Sequence, residues 1–167
     1  MGEDERSVTK VRIETATTND VLDCVTEAAD QRFFLNRLRR GARRGRAFLA
    51  FDGSTPVGYV YLRFEEAEEP ELRDLLPGTP LIQRLRVLPE HRLQGIGREL
   101  VAAVEETARR KHRHRIALGV DVHRPRPIGF YEKIGYQEWP YGRLQTFNEE
   151  TGEPEYCRIF VKDLRTA

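Results

Sequence analysis

From Leu85 to Leu100 a branched apolar stretch passes through a short turn into a glycine-punctuated helix start: Leu85-Arg86-Val87-Leu88-Pro89-Glu90-His91-Arg92-Leu93-Gln94-Gly95-Ile96-Gly97-Arg98-Glu99-Leu100. These residue types in this order suit the binding of an anion. In the first turn of a helix several backbone N–H groups lack intrahelical acceptors, and the positive end of the helix dipole adds to them. A phosphate placed there is held largely by main chain, here by residues 93–98 with Leu93, Gln94 and Ile96 contributing backbone. Gly95 and Gly97 let that backbone come close. Arg92 and Arg98 flank the turn and can add charge-assisted hydrogen bonds. Two other phosphate-binding loops do not fit: the Lys-Ser/Thr ending of a Walker loop is missing, and no Gly-x-Gly-x-x-Gly stands at the first strand.

A second group of residues lies further on. Arg115-Ile116-Ala117-Leu118-Gly119-Val120-Asp121-Val122-His123 reads as a buried strand. After a proline-rich break comes Ile128-Gly129-Phe130-Tyr131-Glu132-Lys133-Ile134-Gly135-Tyr136-Gln137. Taken alone, Tyr131 would be a packing aromatic on a short helix that begins near Pro127, where a missing N–H costs little.

Arg92-x-x-Gly95-x-Gly97, preceded by Val87-x-Pro89, resembles the coenzyme A pyrophosphate loop of the GNAT N-acetyltransferase superfamily. Phe130-Tyr131-Glu132-Lys133-Ile134-Gly135-Tyr136 resembles that family's later motif, and the two stand in the family's order. The chain departs from the pattern at Arg124 and Pro127, where many relatives have Asn and Ala. The resemblance implies an α/β (α+β) fold with a central mixed, mostly antiparallel sheet, flanked by helices and splayed at the cofactor site. It also implies acetyl-CoA as cosubstrate, bound by Leu85, Arg86, Val87, Arg92, Leu93, Gln94, Gly95, Ile96, Gly97 and Arg98. Backbone N–H groups from Leu85 to Val87 would stabilise charge on the thioester oxygen, and Tyr131 would protonate the departing thiolate.

For the group that deprotonates the amine there are several candidates. Some relatives carry a glutamate where this chain has Leu81. Glu65 and Glu66, at the end of the preceding strand, are the candidates by topology, with a water chain or His123 as alternatives. The expected function is transfer of an acetyl group to a primary amine of a small molecule. The alternatives are a protein lysine or N-terminal acetyltransferase and a non-catalytic acyl-CoA-binding sensor.

Periodicity and turn residues give an order of β-α-α-β-β-β-α-β-α-β-β. A first strand covers residues 8–13. Thr18 or Asn19 caps a helix reaching about Ala29 with Val21, Leu22 and Val25 inward, and a second helix covers residues 32–40. Strands 47–51 and 56–64 form a hairpin around Asp52-Gly53. Residues 65–80 read as an acidic loop before strand 81–88. A helix from Gly97 to about Arg113 keeps Leu100, Val101, Val104 and Ala108 on one face. A strand from Tyr136 through Trp139 and another over residues 156–161 enclose a long loop with its tip at 148–154.

The chain of 167 residues has 28 Lys plus Arg against 27 Asp plus Glu, a balance that does not point to nucleic acid or a membrane surface. Its basic runs, 37–46 and 109–115, lack interleaved aromatics. Six carboxylates stand between Glu65 and Asp74, a stretch that would draw a cationic acceptor. Alternation puts Arg84 and Arg86 on one sheet face, where they would instead receive a carboxylate-bearing one. Cys24 and Cys157 have no metal-type spacing, His112-x-His114 has no companion ligands, and no metal is expected. With no secretory leader or spanning segment in the sequence pattern, the expectation is a loose tail over residues 1–7 and one cytoplasmic acetyltransferase domain over 8–167. A homodimer is left open.

Overall fold

Why residues as far apart as Leu85 and Tyr131 can meet follows from how the strands pair. The computed structural model describes residues 10–165. Strands β1 (Arg12–Thr15), β2 (Gly45–Asp52), β3 (Thr55–Arg63) and β4 (Leu81–Val87) form an antiparallel meander. Strand β5 (Arg115–Asp121) pairs antiparallel over its whole length with β8 (Pro154–Asp163). The outer edge of β8 takes β7 (Leu144–Phe147) along its first half and β6 (Gln137–Glu138) along its second. The two halves join where β4 and β5 run parallel, and there they pair at a single position, Leu81 opposite Ala117, beside a bond from the Ala117 N–H to the Pro80 carbonyl.

Side-chain alternation in β2 and β3 buries both faces. Phe48, Ala50, Val60 and Leu62 pack against helix α4 (Ile96–Arg110) through Ile96, Leu100, Val101 and Val104. Ala47, Leu49, Tyr59 and Tyr61 face the other way, onto α1 (Thr18–Cys24) and α2 (Ala28–Arg39) through Val21, Phe33 and Phe34. A third cluster under α3 (Pro70–Leu75) joins Leu72 and Leu76 to Trp139, Leu144 and Ile159. Helix α5 (Ile128–Lys133) adds Ile128 and Tyr131 to the α4 side.

Several boundaries depart from the sequence reading. The first helix stops at Cys24, because Glu27 accepts from the N–H groups of Ala29 and Asp30 and so starts α2 early. Leu22, expected inward, is 50% exposed. The acidic loop contains α3, whose signal is Pro70 in the first turn. The long loop before the last strand contains β7. Of the first strand expected over residues 8–13, Arg12 and Ile13 lie in β1, while residues 8 and 9 and the expected tail over residues 1–7 lie outside the described residues. Helix α4 begins at Ile96 and is preceded by a 3-10 turn over Pro89–His91.

Strand β4 is bulged. Tyr59 faces Arg86 and Tyr61 faces Gln83, so β4 spends one extra residue opposite Val60, and Arg84 holds φ 55 there. The extra residue reverses the alternation. Ile82 before the bulge and Leu85 and Val87 after it all face the α4 core. Past the bulge, where Gly58 pairs with Val87, there is no room for a side chain on β3, since a Cβ on Gly58 would stand 2.8 Å from the Arg86 carbonyl oxygen.

Leu100 is fully buried between α4 and the meander. Leu100→Ala is expected to lower the unfolding free energy by about 2–5 kcal/mol, read from urea denaturation.

Candidate active site

The first turn of α4 has the form expected of an anion cradle. Gly95 is its N-cap with φ 80, a left-handed conformation open to glycine, and no side chain caps the helix. The first helical bond runs from the Glu99 N–H to the Gly95 carbonyl, which leaves the N–H groups ahead of it without intrahelical acceptors. Leu93 holds φ 65 and is 99% exposed. Arg92 is anchored to the end of β4 by a 3.1 Å bond from its Nε to the Val87 carbonyl.

A groove of about 410 Å³ runs along this turn. Leu85, Arg86, Val87, Arg92, Leu93, Gly95, Ile96, Gly97 and Arg98 all line it, with Pro127 and Phe130 opposite. Gln94 belongs to the same turn but is not a lining residue. Ile96 is buried in the core, so its contribution to the groove is main chain. A Cβ on Gly97 would stand 3.5 Å from the Phe130 ring and 3.7 Å from Val87, ordinary contacts, with the groove beyond.

Where β4 and β5 part, the groove continues into a cleft of about 280 Å³ lined by Ile82, Arg84, Leu85, Leu118, Phe130 and Tyr131 among others. Leu85, Pro127 and Phe130 belong to both. Tyr131 is 7% exposed and is held edge-on between Phe130 at 5.1 Å and Tyr136 at 5.6 Å. Burial pushes its hydroxyl well above the usual phenol range, so it remains a protonated donor at neutral pH. Arg124 lines the cleft at the position where it departs from the family's Asn.

On its far side the cleft meets a chamber of about 300 Å³, with Ile82, Arg84, Leu118 and Gly119 shared between them. Glu69, Phe147, Glu149, Glu155 and Cys157 form other walls of this chamber. An adjoining cavity of about 320 Å³ shares Gln83 with the chamber and adds Glu68 and Glu71. The turn between β7 and β8 reaches across to α2, where Glu149 pairs with buried Arg37 and Glu150 pairs with Arg32 at 2.8 Å. Sequence reasoning missed Phe147, Glu149 and Glu155. The weak available signal was the run from Leu144 to Phe147, which is too short and too polar to stand out.

Glu65 and Glu66, the sequence candidates for accepting the amine proton, are not brought to the cleft. They line a separate cavity of about 20 Å³ under α3, which shares no residue with the cleft. Glu65 is the centre of an arginine cluster instead, 2.7 Å from Arg40 and 3.8 Å from both Arg44 and Arg63. His123 lies beyond β5, its backbone N–H bonded to the Asp121 carboxylate at 2.8 Å. Arg84 and Arg86 do share a face, but the carboxylate they hold belongs to Asp30 of α2. Cys24 and Cys157 are free thiols. Among the described residues no group of His, Cys, Asp and Glu is arranged to hold a metal ion, and no helix is long and apolar enough to cross a membrane.

A mostly antiparallel sheet that splays at one parallel pair, with a helix N-terminus beside the splay, defines the GNAT class of α/β fold. The family model described as the acetyltransferase (GNAT) family matches residues 12–136, and the chain belongs to that family. No curated protein matches it in sequence. Among solved structures it is similar to Arabidopsis thaliana NAA60 in complex with acetyl-CoA, with TM-score 0.73 and 19% identity over 93% of this chain and 99% of that one. It is also similar to a ribosomal-protein-alanine N-acetyltransferase from Brucella melitensis, at TM-score 0.64 and 20% identity over 91% and 99% of the two chains. An IAA acetyltransferase from Bacillus cereus gives TM-score 0.67 and 16% identity over 92% and 99%.

The Glu65 cluster makes stability depend on pH. Partial burial raises the Glu65 carboxyl, but bonding to Arg40 and the charges of Arg63, Arg40 and Arg44 outweigh it and hold the group below its ordinary value of 4.5. A carboxylate depressed in the fold adds stability above its unfolded pKa and loses it as pH falls through the folded one. Glu65→Gln should therefore lower the unfolding free energy by about 1–3 kcal/mol near neutral pH. The gap to wild type should close as pH drops below 4.5 in parallel urea titrations.

Proposed function

We propose that this chain is an acetyl-CoA-dependent N-acetyltransferase acting on a primary amine of a small molecule. The observation that carries this reading is the continuity of groove, cleft and chamber, with Tyr131 in the cleft between the other two. The residues present fit the cosubstrate. Uncapped N–H groups at the start of α4, with Arg92 and Arg98 beside them, suit its pyrophosphate. The apolar walls at Leu85, Val87 and Phe130 suit its pantetheine arm.

When bound, acetyl-CoA supplies a thioester carbonyl open to attack by an amine. The Leu85–Val87 edge of β4 lies on the cleft side, beyond the one position paired with β5, and its backbone N–H groups are the donors for charge developing on the carbonyl oxygen. Ile82, Leu118 and Phe130 exclude water from the reacting centre. The Tyr131 hydroxyl, kept protonated by burial, gives its proton to the departing sulfur. The acceptor approaches through the chamber past Glu69 and Glu155, which favour a cation, and its proton would leave to water in the chamber. The tie of Glu149 to Arg37 roofs this approach and favours a slender acceptor.

A second reading, transfer to a lysine or a protein N-terminus, is favoured by Phe147 and Tyr156, which are 65% and 47% exposed on the hairpin beside the chamber and offer a peptide an apolar shelf. A thiol-release assay with acetyl-CoA across small amines and peptides separates the two readings. Turnover with neither class, alongside tight cofactor binding, would leave an acyl-CoA sensor.

Gly97→Glu places bulk and negative charge in the groove while the fold accommodates its Cβ. Calorimetric titration should show acetyl-CoA affinity reduced about tenfold or more in a protein with unchanged circular dichroism. Tyr131→Phe keeps the ring contacts and removes the acid. Its kcat should fall about 10- to 1000-fold with little change in acetyl-CoA affinity, and turnover at the wild-type level would make Tyr131 a packing residue only.

A further inference from the structure

Asp30 is a buried carboxylate that the reaction above does not use. It is 6% exposed on α2 and lines neither the groove, the cleft nor the chamber. Three groups from two strands converge on it. The Tyr59 hydroxyl donates to its Oδ2, Arg84 Nη1 lies 3.0 Å from Oδ1, and Arg86 Nη1 lies 3.6 Å from Oδ2. A carboxylate taken out of water needs such partners. The arginines have the reciprocal need, because they stand on one short stretch of β4 and would otherwise repel each other.

What the carboxylate holds is a strained piece of backbone. Arg84 has φ 55 in a strand, a conformation that residues with a side chain rarely adopt and that persists only where the surroundings enforce it. The enforcement comes through its side chain, which Asp30 grips at the end while the guanidinium lies 4.8 Å over the Phe33 ring, also on α2. This is the bulged residue of β4. It sets where Leu85, Arg86 and Val87 begin and which way they face.

We propose that Asp30 is a positioning residue: by holding Arg84 from α2 it keeps the β4 bulge in its left-handed turn, and so sets the Leu85–Val87 edge against the thioester carbonyl. The last clause rests on the N-acetyltransferase reading; the hold on the bulge does not. Asp30 touches no reacting atom and acts through Arg84.

The test is a double-mutant cycle read by kinetics and by deuterium uptake of segment 81–88. Asp30→Asn keeps the shape and an acceptor for Tyr59 while removing the charge. It should lower kcat about tenfold or more, leave KM for acetyl-CoA within about twofold, and raise uptake in segment 81–88. Glycine adopts the left-handed conformation freely. In an Arg84→Gly background, therefore, Asp30→Asn should change kcat and segment uptake by less than about twofold. A kcat within twofold of wild type in Asp30→Asn alone would overturn the proposal. So would an equal loss in both backgrounds, since Asp30 would then act directly or through general stability. Should Asp30→Asn not fold, Asp30→Glu is read in the same two backgrounds, with the same outcomes deciding. If the unmodified chain turns over no amine, the function reading fails by itself. The uptake arm then decides this proposal, and unchanged uptake in segment 81–88 overturns it.

Discussion

Strands β4 and β5 pair where they start and then part, and the rest of the site depends on that separation. A sheet opened in its middle exposes two rows of backbone groups, which is ordinarily a liability. Here each bordering strand is secured on its other side. Strand β4 is paired with β3 along the meander, and β5 is paired with β8 at seven consecutive positions. The gap is therefore a cleft between two well-paired half-sheets, and its walls can be supplied with side chains independently. Helix α4 closes one end with its N-terminus, α5 supplies Tyr131, and the β7–β8 hairpin reaches over the other end.

The bulge in β4 makes this geometry compatible with a packed core. Without the extra residue, Arg84 and Arg86 would share the face of Ile82 and point into the apolar layer under α4. With it, Leu85 and Val87 take that face and the arginines turn to Asp30. Helix α2 is thereby coupled to the cleft wall through charge, while Arg32 and Arg37 of the same helix receive the carboxylates of the hairpin. One helix thus makes ion pairs with both the β4 wall of the cleft and the hairpin that reaches over the chamber.

Charge is divided across the molecule although the chain as a whole is nearly neutral. Arg92 and Arg98 lie along the groove at the start of α4, while Glu69, Glu149 and Glu155 lie around the chamber. The buried arginines near the chamber are already committed, Arg63 to the carbonyls of Glu65 and Glu66 and Arg37 to Glu149. The field inside the chamber is therefore set by the remaining carboxylates, Glu69 and Glu155.

Features carried by residues close together along the chain are legible in the sequence itself. Gly95, Gly97, Arg92 and Arg98 declare a helix start and an anion cradle within seven residues, and the apolar face of α4 is written in the spacing of Leu100, Val101, Val104 and Ala108. Two strand-to-helix passages and their order are enough for the family and the fold, because turn chemistry and periodicity are local quantities. Pairings between distant side chains are not legible. Glu65 can be taken for a base since nothing near it in sequence reveals that Arg40 and Arg44 join Arg63 around it. Arg84 and Arg86 can be read as receptors for a ligand's carboxylate because their actual partner stands 54 residues away from Arg84, on another layer. The face they occupy is fixed by a single inserted residue, and no periodicity announces a bulge. Sequence by itself determined most of the elements, though not α3 or β7, together with the glycine-marked start of α4 and the class of fold; tertiary structure alone decided which charges are spent on one another and which are left to face the cleft, because burial and ion pairing depend on distance in space and not on separation along the chain.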